Sequence, residues 1–374
     1  MPSPDPADKA SGLIDDPSEE RSGGLAPYQV KKLLLVASLY DFFMLEEDGR
    51  LRDLLLQTYL QWNRGYVPQL VRVSGGENAL QRIRCEPFDL VVAVMRLGDM
   101  DPFTFARQVR EISASLPVVG LAYNTPELAR LLQLDDGSAL ERIFVWQGDG
   151  QVLLGIIQLV EDLRNAAADT RLAGVQNILL IEDSIGFYSS YLPLIFSLLL
   201  RLTQSLLKED LTYSQRLLRQ RARPRVHLAT SLEEAEARFA AIGDHLLGII
   251  TDASFPRRRG AGEDADPRAG IEFARAVLAQ KPGLPVLLQS SDPGADEMAR
   301  ACGIPFLSKN SPTLKRDLER FLAERCGFGD LVLADPGAGA EARFANLDQL
   351  YSASGELPAQ PFREAAALGT LDRW

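Results

Sequence analysis

The sequence predicts an α/β protein with two doubly wound domains in tandem, each built on a five-stranded parallel sheet. The chain of 374 residues is long enough for two domains, and its apolar content of 46% can supply a core for each. Short apolar segments alternate with longer amphipathic segments, which is typical of parallel strands covered by helices on both faces. This pattern occurs twice, so the second half repeats the first.

The short apolar segments mark the predicted strands. In the first half they span residues 33–36, 70–73, 90–94, 118–121 and 143–146. In the second half they span residues 178–181, 226–229, 247–251, 286–289 and 306–308. The repeat is visible in detail, since Leu-Pro-Val at residues 116–118 matches Leu-Pro-Val at residues 284–286. Each half therefore predicts an open three-layer domain.

The segments around the strands set the expected boundaries. Residues 1–28 are rich in Pro, Asp, Ser and Gly, and we expect a disordered tail. The first domain is assigned to residues 30–170 and is closed by a helix from about residue 151 to 168, and the second domain to residues 175–326.

Two segments fall outside the repeat. We expect the polar, Arg-rich insertion at about 208–225 to be a solvated helical hairpin, with a docking surface as the alternative. Residues 327–374 are expected to form a poorly packed appendage with one short strand and a weak helix.

Composition excludes several classes of protein. The net charge of −11 argues against nucleic acid or an anionic membrane as a partner. Polar residues interrupt the longest apolar segment, residues 192–207, which indicates a buried helix. The three cysteines lack metal-site spacing, and residues 1–28 lack a secretory signal, so we expect reduced thiols in a cytoplasmic protein. With only two histidines, a His-based triad is not expected.

Polar side chains follow four strands of the predicted second sheet. They are Glu182, Asp183, Asp252, Ser290, Ser291 and Lys309. Ligands bind outside the carboxyl ends of the strands in open parallel sheets, so these side chains are expected to converge. A single Asp at a strand end is usually a cap, and a single Lys there is usually solvated. Five matching positions, which supply three carboxylates, one hydroxyl and one ammonium, favour a site instead.

The residue types indicate phosphoryl chemistry. Three carboxylates repel one another without a cation, and an oxygen-only ligand set favours Mg²⁺. Phosphoryl transfer depends mainly on position and charge, which Mg²⁺, the Lys309 ammonium and the Ser290 hydroxyl would supply. Asp252 lies between the acidic pair and the Ser/Lys side, so it is the candidate nucleophile.

These segments resemble a known family. Residues 178–184, 252–256, 285–291 and 306–309 are similar to the strand ends of receiver domains in two-component response regulators, which have a flavodoxin-like fold. The resemblance implies that Asp252 is phosphorylated by a histidine kinase or phosphotransfer protein. It also implies Mg²⁺ ligands and switch residues, which are Glu182, Asp183, Asp252, the carbonyl of Ser254, then Ser290, Phe306 and the phosphate-pairing Lys309.

Two departures from the receiver pattern are visible. Asn310 follows Lys309 where receivers usually have a proline and a cis peptide, so a trans bond and a looser lysine geometry are expected. The first half resembles a receiver whose site is erased, a pseudo-receiver kept as a packing or interaction module. Its site positions hold Ala37, Ser38, Val94, Ala122 and Gln147.

A narrower resemblance covers most of residues 30–335. Residues 187–193, 221–224, 288–291, 309–314 and 327–330 are similar to the tandem-receiver front end of a bacterial protein type. In that type the receivers precede a phosphoenolpyruvate-synthase-like, ATP-binding module, which is therefore an implied effector. By analogy with receivers, the Phe306 face is an implied surface for a homodimer or a downstream effector.

Two other functions stay open. The protein is a non-phosphorylated interaction scaffold if neither half takes a phosphoryl group. A Mg²⁺-dependent phosphohydrolase of the haloacid-dehalogenase type needs a second Asp two residues after the nucleophile on its first strand. Here Ile185 stands two residues after Asp183, which argues against that enzyme. We expect a phosphoacceptor that assists its own phosphorylation and dephosphorylation, rather than an enzyme with a separate substrate.

Overall fold

The computed structural model describes residues 25–49, 51–62, 66–123, 128, 139–205, 222–258, 265–326, 331–334, 341–344 and 363–364. The elements of the first domain are β1 (Lys32–Val36), α1 (Leu39–Gly49), α2 (Leu51–Gln61), β2 (Gln69–Val73), α3 (Gly76–Cys85), β3 (Leu90–Val94), α4 (Pro102–Ile112), β4 (Val118–Ala122), β5 (Arg142–Val145) and α5 (Gln151–Ala173). The elements of the second domain are β6 (Asn177–Ile181), α6 (Ile185–Ser205), β7 (Arg225–Ala229), α7 (Leu232–Ile242), β8 (Leu246–Asp252), α8 (Ala269–Gln280), β9 (Val286–Ser290), α9 (Gly294–Ala301), β10 (Phe306–Ser308) and α10 (Leu314–Arg320).

Both sheets have the same strand order. The first sheet runs β2-β1-β3-β4-β5, and the second runs β10-β9-β8-β6-β7, which is the same order read from the other edge. All their strand pairs are parallel. The order 2-1-3-4-5 is that of the flavodoxin-like fold, which receivers share. The predicted fold class, two flavodoxin-like doubly wound sheets in tandem, is confirmed.

The strands are continuous apolar segments because they are covered on both faces. Every residue of β3, β4, β6, β8 and β9 is buried. The edge strand β2 is less covered, and Gln69 and Arg72 are exposed. The predicted strands agree with the observed ones to within one residue at each end, and some of the added residues are polar, such as Asn177 and Asp252.

Helix α5 is longer than predicted. It continues to Ala173 and ends at Gly174, whose φ of 64° gives the left-handed cap that glycine favours. The expected end at about residue 168 was wrong, since the helix continues through Asp169, a polar residue that is buried rather than solvated. Asn165 and Asp169 are buried, and both bond to the segment before β1.

The expected tail, residues 1–28, lies outside the described residues except for its last four. The backbone N–H of Ala26 donates to Asp169, and that of Tyr28 donates to Asn165 at 2.8 Å. Leu25 is buried. This segment is therefore bonded to α5 through Ala26 and Tyr28. In the appendage, the described residues form a three-stranded antiparallel sheet of β11 (Leu331–Ala334), β12 (Glu341–Phe344) and β13 (Arg363–Glu364).

The end of the insertion corrects one expectation. Residues 206–221 lie outside the described residues, but residues 222–225 are buried rather than solvated. Arg223 is 2% exposed and pairs with Asp162 of α5 at 2.8 Å. Arg225 is 3% exposed and pairs with Asp169 of α5 at 2.7 Å. The arginines near the second strand therefore join α5 to β7, which a polar pattern alone does not reveal.

The two domains share one core. A single apolar cluster contains residues of β1, β3, α5, α6 and β8. Helix α6 packs against α5 and β5, where the Ser189 hydroxyl accepts the Val145 N–H at 3.0 Å and the Tyr188 hydroxyl donates to the carbonyl of Ile143. A Cβ on Gly155 would lie 2.9 Å from Pro193, so glycine permits the close approach of the two helices.

Helix α6 matches the expectation of a buried helix. Residues 185–204 are long and apolar enough to cross a membrane by length and composition alone, with a mean hydropathy of 1.4. More than half of this segment is buried inside the protein, at 56%. Its apolar residues therefore serve the shared core.

Candidate functional site

The predicted site residues lie at the carboxyl edge of the second sheet. β6 pairs with β8, β8 with β9, and β9 with β10. Glu182 and Asp183 directly follow β6, and Asp252 is the last residue of β8. Ser290 ends β9, and Lys309 directly follows β10. Parallel pairing brings these ends to one edge, as the sequence predicts.

Three carboxylates meet there. One oxygen each from Glu182, Asp183 and Asp252 lies within 4.8 Å of the others. Glu182 is 1% exposed and Asp252 is 8% exposed, while Asp183 is half-buried. Among the described residues this is the one group of three or more acidic, His or Cys side chains close enough to hold a metal ion. Its ligand atoms are oxygens only, which fits a hard divalent cation such as Mg²⁺.

Lys309 supplies the positive charge of the pocket. Its Nζ lies 2.5 Å from Glu182 Oε2 and 2.6 Å from Asp252 Oδ2. The Phe187 ring lies against the same ammonium, with its centroid 4.3 Å from Nζ, which is a cation–π contact. Lys309 is itself buried. It is therefore held at the acceptor carboxylate by two ion pairs and an aromatic ring.

One ammonium does not neutralise three carboxylates, of which Glu182 and Asp252 are buried and Asp183 is half-buried. Burial raises the pKa of Glu182 to about 8, and the charge of Asp252 adds to this rise against the opposing effect of Lys309. Burial and the charge of Asp252 also raise the pKa of Asp183. Glu182 therefore retains its proton near neutral pH when no second cation is bound.

The acceptor side chain is fixed by its own strand end. Asp252 Oδ1 accepts the backbone N–H of Ala253 at 2.7 Å, while Oδ2 accepts from Lys309. Helix α8 begins directly against this strand end, where the Gly270 N–H donates to the carbonyl of Ala253 at 3.0 Å. A Cβ on Gly270 would lie 1.9 Å from the carbonyl oxygen of Asp252. Only glycine permits this approach.

The remaining predicted residues lie around this centre. The Ser290 hydroxyl accepts the N–H of Asp292 at 3.0 Å, and the Ser290 carbonyl accepts the N–H of Lys309 at 3.0 Å. Ser254 is half-buried, two residues beyond Asp252. Phe306 begins β10 and is half-buried against the core. Ligation by the Ser254 carbonyl and the switching of Ser290 and Phe306 stay predictions.

Asn310, which stands where receivers usually have a proline, affects the position of Lys309 less than expected. The backbone of the described residues contains no cis peptide bond, so the Lys309–Asn310 bond is trans. Lys309 nevertheless lies 2.6 Å from Asp252. The expected looser lysine geometry is therefore not found, because Glu182 and Phe187 hold the side chain from the other side.

The first domain has apolar residues at the corresponding positions. Ala37, Val94 and Ala122 are buried. The nearby acids have structural roles, since Asp99 accepts the N–H groups of Gly76 and Glu77 at the start of α3. These replacements leave no group of carboxylates in the described part of this domain that could hold a cation.

Gln147, at the lysine position of the first domain, has a contact of another kind. Its Nε2 donates to the carbonyl of Gly186 at 3.0 Å, and its Oε1 accepts from the Ser190 hydroxyl at 2.8 Å. Both partners belong to α6 of the second domain. The position that holds the lysine in the second domain thus holds a domain contact in the first.

Two contributors to the site escaped sequence reasoning. Phe187 lies on α6, and an aromatic residue in an apolar helix ordinarily indicates core packing. Gly270 follows a long polar loop, and only its distance from Asp252 shows its role. A glycine at the start of the helix after the acceptor strand is the signal that could have been used.

No protein-family model matches the chain, and no curated protein matches it. Among solved structures, the N-terminal domain of a response regulator/sensory box/GGDEF three-domain protein from Carboxydothermus hydrogenoformans is 24% identical, with a TM-score of 0.28, and covers 37% of this chain and 99% of that one. Chemotaxis response regulator CheY4 of Vibrio cholerae is 20% identical, with a TM-score of 0.25, and covers 35% of this chain and 99% of that one. A structure described as a probable two-component system response regulator/GGDEF domain protein is 16% identical, with a TM-score of 0.31, and covers 77% of this chain and 95% of that one. These TM-scores are low, so the assignment of a receiver-type fold rests on the strand order of the two sheets.

Proposed function

We propose that the second domain is the phosphoacceptor receiver of a two-component response regulator. Asp252 takes the phosphoryl group, and Mg²⁺ is held by Glu182, Asp183, Asp252 and the carbonyl of Ser254. The observation that carries this proposal is the pocket itself, in which three carboxylate oxygens lie within 4.8 Å of one another beside the buried ammonium of Lys309. This combination suits phosphoryl transfer to a carboxylate.

The residues divide the chemistry among them. An oxygen of Asp252 attacks the phosphorus of a phosphohistidine or a small phosphodonor. The new P–O bond forms as the bond from phosphorus to the donor breaks, and the donor keeps that electron pair. Bound Mg²⁺ offsets negative charge on the phosphoryl oxygens. Lys309 pairs with the same oxygens, and the Ser290 hydroxyl donates one more hydrogen bond to them. The chain assists its own phosphorylation and dephosphorylation, without a separate substrate.

The partners follow from this chemistry. A histidine kinase or phosphotransfer protein supplies the phosphoryl group in the cytoplasm. The output passes through a second copy of the chain or a downstream effector, such as a phosphoenolpyruvate-synthase-like module. The first domain acts as an interaction module, and the contacts of Gln147 with α6 support that role.

Phosphorylation in vitro tests this function. We expect a small phosphodonor such as acetyl phosphate, with Mg²⁺, to give one acid-stable, base-labile adduct. The adduct is lost in Asp252→Asn and reduced in Asp183→Asn, because the second variant weakens the cation site. Asp99→Asn is the matched control in the first domain and is expected to behave as the wild type. An adduct of equal yield in Asp252→Asn would reject the proposal.

A scaffold function is the second candidate. It is favoured by the first domain, which keeps the fold although its site positions hold the buried apolar residues Ala37, Val94 and Ala122. Titration with Mg²⁺ separates the two functions. A receiver shows saturable binding that is lost in Asp183→Asn, whereas a scaffold shows none. The phosphohydrolase is supported less, since Ile185 stands where it needs a second Asp and begins α6 instead.

A further inference from the structure

Helix α6 carries two aromatic side chains on the face that contacts Lys309 of the acid pocket, which is formed by Glu182, Asp183, Asp252 and Lys309. It begins two residues after Asp183, and Phe187 and Tyr191 lie one turn apart on it. Their ring centroids are 6.1 Å apart. Phe187 contacts the Lys309 ammonium. The same helix face therefore carries Tyr191 beside the pocket.

The Tyr191 hydroxyl is a buried donor without an acceptor. The residue is 3% exposed, and its hydroxyl has no hydrogen-bond partner among the described residues. Burial, together with the charges of Glu182 and Asp252, raises its pKa, so the group stays protonated. An unpaired buried hydroxyl is unfavourable and uncommon in folded proteins. Its position one helical turn after Phe187, which contacts the Lys309 ammonium, calls for an explanation.

The neighbouring tyrosine of the same helix differs. Tyr188 donates its hydroxyl hydrogen to the carbonyl of Ile143, and its ring packs edge-to-face on Phe144. Tyr188 thus has a satisfied structural role at the contact between the domains. Tyr191 has an equally buried ring but no such acceptor. Burial of the aromatic ring alone requires only a phenylalanine at this position.

We propose that Tyr191 is a positioning residue of the acid pocket, whose hydroxyl donates a hydrogen bond to an oxygen that enters with the ligand. That oxygen is a water of the bound Mg²⁺ or an oxygen of the phosphoryl group. The inference rests on the proposed function, because it assigns a further residue to the same site. The hydroxyl then has an acceptor only in the occupied state, so its hydrogen bond favours binding.

The variant Tyr191→Phe distinguishes a tyrosine that positions the ligand from one that only stabilises the fold. The ligand-free variant should unfold at the same temperature as the wild type or higher, because it loses no hydrogen bond and removes an unpaired hydroxyl. Its Kd should nevertheless rise about tenfold, the effect of one lost hydrogen bond. Tyr188→Phe is the matched control. It should lower the ligand-free unfolding temperature and leave the Kd unchanged.

Two binding measurements identify which oxygen accepts the hydrogen bond from Tyr191. One measures Mg²⁺ binding alone, and the other measures binding of beryllium trifluoride, a phosphoryl mimic, in the presence of Mg²⁺. A defect in the first arm assigns the metal-bound water, and a defect only in the second assigns the phosphoryl oxygen. The ring carbon that bears the Tyr191 hydroxyl, followed by ¹³C NMR, should shift in the same arm as the binding defect.

Three results would overturn the inference. Wild-type affinity of Tyr191→Phe in both arms removes the role. A fall in its ligand-free unfolding temperature as large as that of Tyr188→Phe would show a structural tyrosine. If the wild type binds neither Mg²⁺ nor beryllium trifluoride, the proposed function fails and this role falls with it. If the wild type binds normally and Tyr191→Phe binds more weakly, the proposed function and the role of Tyr191 are both supported.

Discussion

At the residue scale, the stability of the acid pocket depends on the balance of its buried charges. Lys309 is buried between Glu182 and Asp252, and each of these contacts is a close ion pair. Buried ion pairs add little net stability while both partners are present, but removal of one partner leaves a buried charge without compensation. The lysine therefore holds the ligand-free pocket together.

Lys309→Met tests this role. At a pH high enough to ionise Glu182 without its lysine partner, the variant should lose about 3–5 kcal/mol of unfolding free energy, as expected when one member of a buried pair is removed. Added Mg²⁺ should recover part of this loss, because the cation replaces the missing charge. Urea unfolding with and without Mg²⁺ measures both effects.

The control is Lys281→Met. Lys281 pairs with Asp244 at 2.6 Å, but that aspartate is 90% exposed. A surface pair of this kind contributes about 0–1 kcal/mol. Equal losses in the two lysine variants, or no effect of Mg²⁺, would contradict a charge deficit in the pocket.

The raised pKa of Glu182 predicts the pH dependence of cation binding. The folded protein holds the Glu182 proton up to about pH 8, whereas the unfolded chain releases it near pH 4.5. A raised folded pKa contributes stability below the unfolded value, and that contribution is lost as the pH rises through about 8. Because Mg²⁺ competes with this proton, its affinity should increase with pH up to about 8 and then level off.

Calorimetric titration with Mg²⁺ between about pH 6 and about pH 9 measures this trend. Proton release on binding should be detectable at the lower pH and absent at the higher one. Glu182→Gln should remove the corresponding slope from the stability of the metal-free protein. An affinity that is independent of pH would mean that the carboxylates are already ionised without the metal.

At the element scale, the site depends on how closely α8 approaches the end of β8. Gly270→Ala would place a Cβ 1.9 Å from the carbonyl oxygen of Asp252, so the helix or the strand end has to move. We expect a loss of about 1–3 kcal/mol in unfolding free energy, as for overpacking, and weaker Mg²⁺ binding. Chemical unfolding and Mg²⁺ titration report the two effects.

Gly283→Ala is the matched control for that glycine. A Cβ at Gly283 meets nothing within 4 Å. This substitution should leave Mg²⁺ binding unchanged and should change stability little. If both glycine variants bind Mg²⁺ as the wild type does, the approach of α8 does not position the acceptor.

The elements themselves were largely predictable. A parallel strand buried on both faces has a continuous apolar sequence, so all ten strands of the two sheets were found. The end of α5 and the last residues of the insertion were not found. Arg223 and Asp162 are 61 positions apart in the sequence, and each looks solvated by itself. Pattern analysis counts a polar residue as exposed and does not detect a distant partner.

Most residues of the candidate site were also predictable from the sequence. Glu182, Asp183, Asp252 and Lys309 follow from the rule that ligands bind at the carboxyl ends of parallel strands. Phe187 was not assigned to the site, because its spacing on α6 is that of an ordinary core residue. Its place over the ammonium depends on how α6 leaves β6, which only the coordinates show.

At the scale of the whole molecule, the first domain has apolar residues at the site positions but still packs against the second domain. It supplies α5 and β5, against which α6 packs. It also supplies Asp162 and Asp169, which pair with the buried Arg223 and Arg225 of the second domain. The second domain therefore depends on its neighbour for both apolar cover and charge.

A shortened protein that begins at Gln176 tests this dependence. Without α5, two buried arginines lose their carboxylates, and the face of α6 that carries Pro193 loses its cover. We expect a lower unfolding temperature and self-association through the exposed apolar face. Thermal unfolding and gel filtration measure these effects. A monomer as stable as the full chain would show that the two domains are independent.

Reductive trapping tests most directly whether Asp252 accepts a phosphoryl group. Borohydride converts an aspartyl phosphate into homoserine, and peptide mapping then identifies the modified residue. We predict homoserine at position 252, and only when the phosphodonor and Mg²⁺ are both present. Homoserine at another position, or none at 252 under conditions in which the folded protein binds Mg²⁺, would contradict the account.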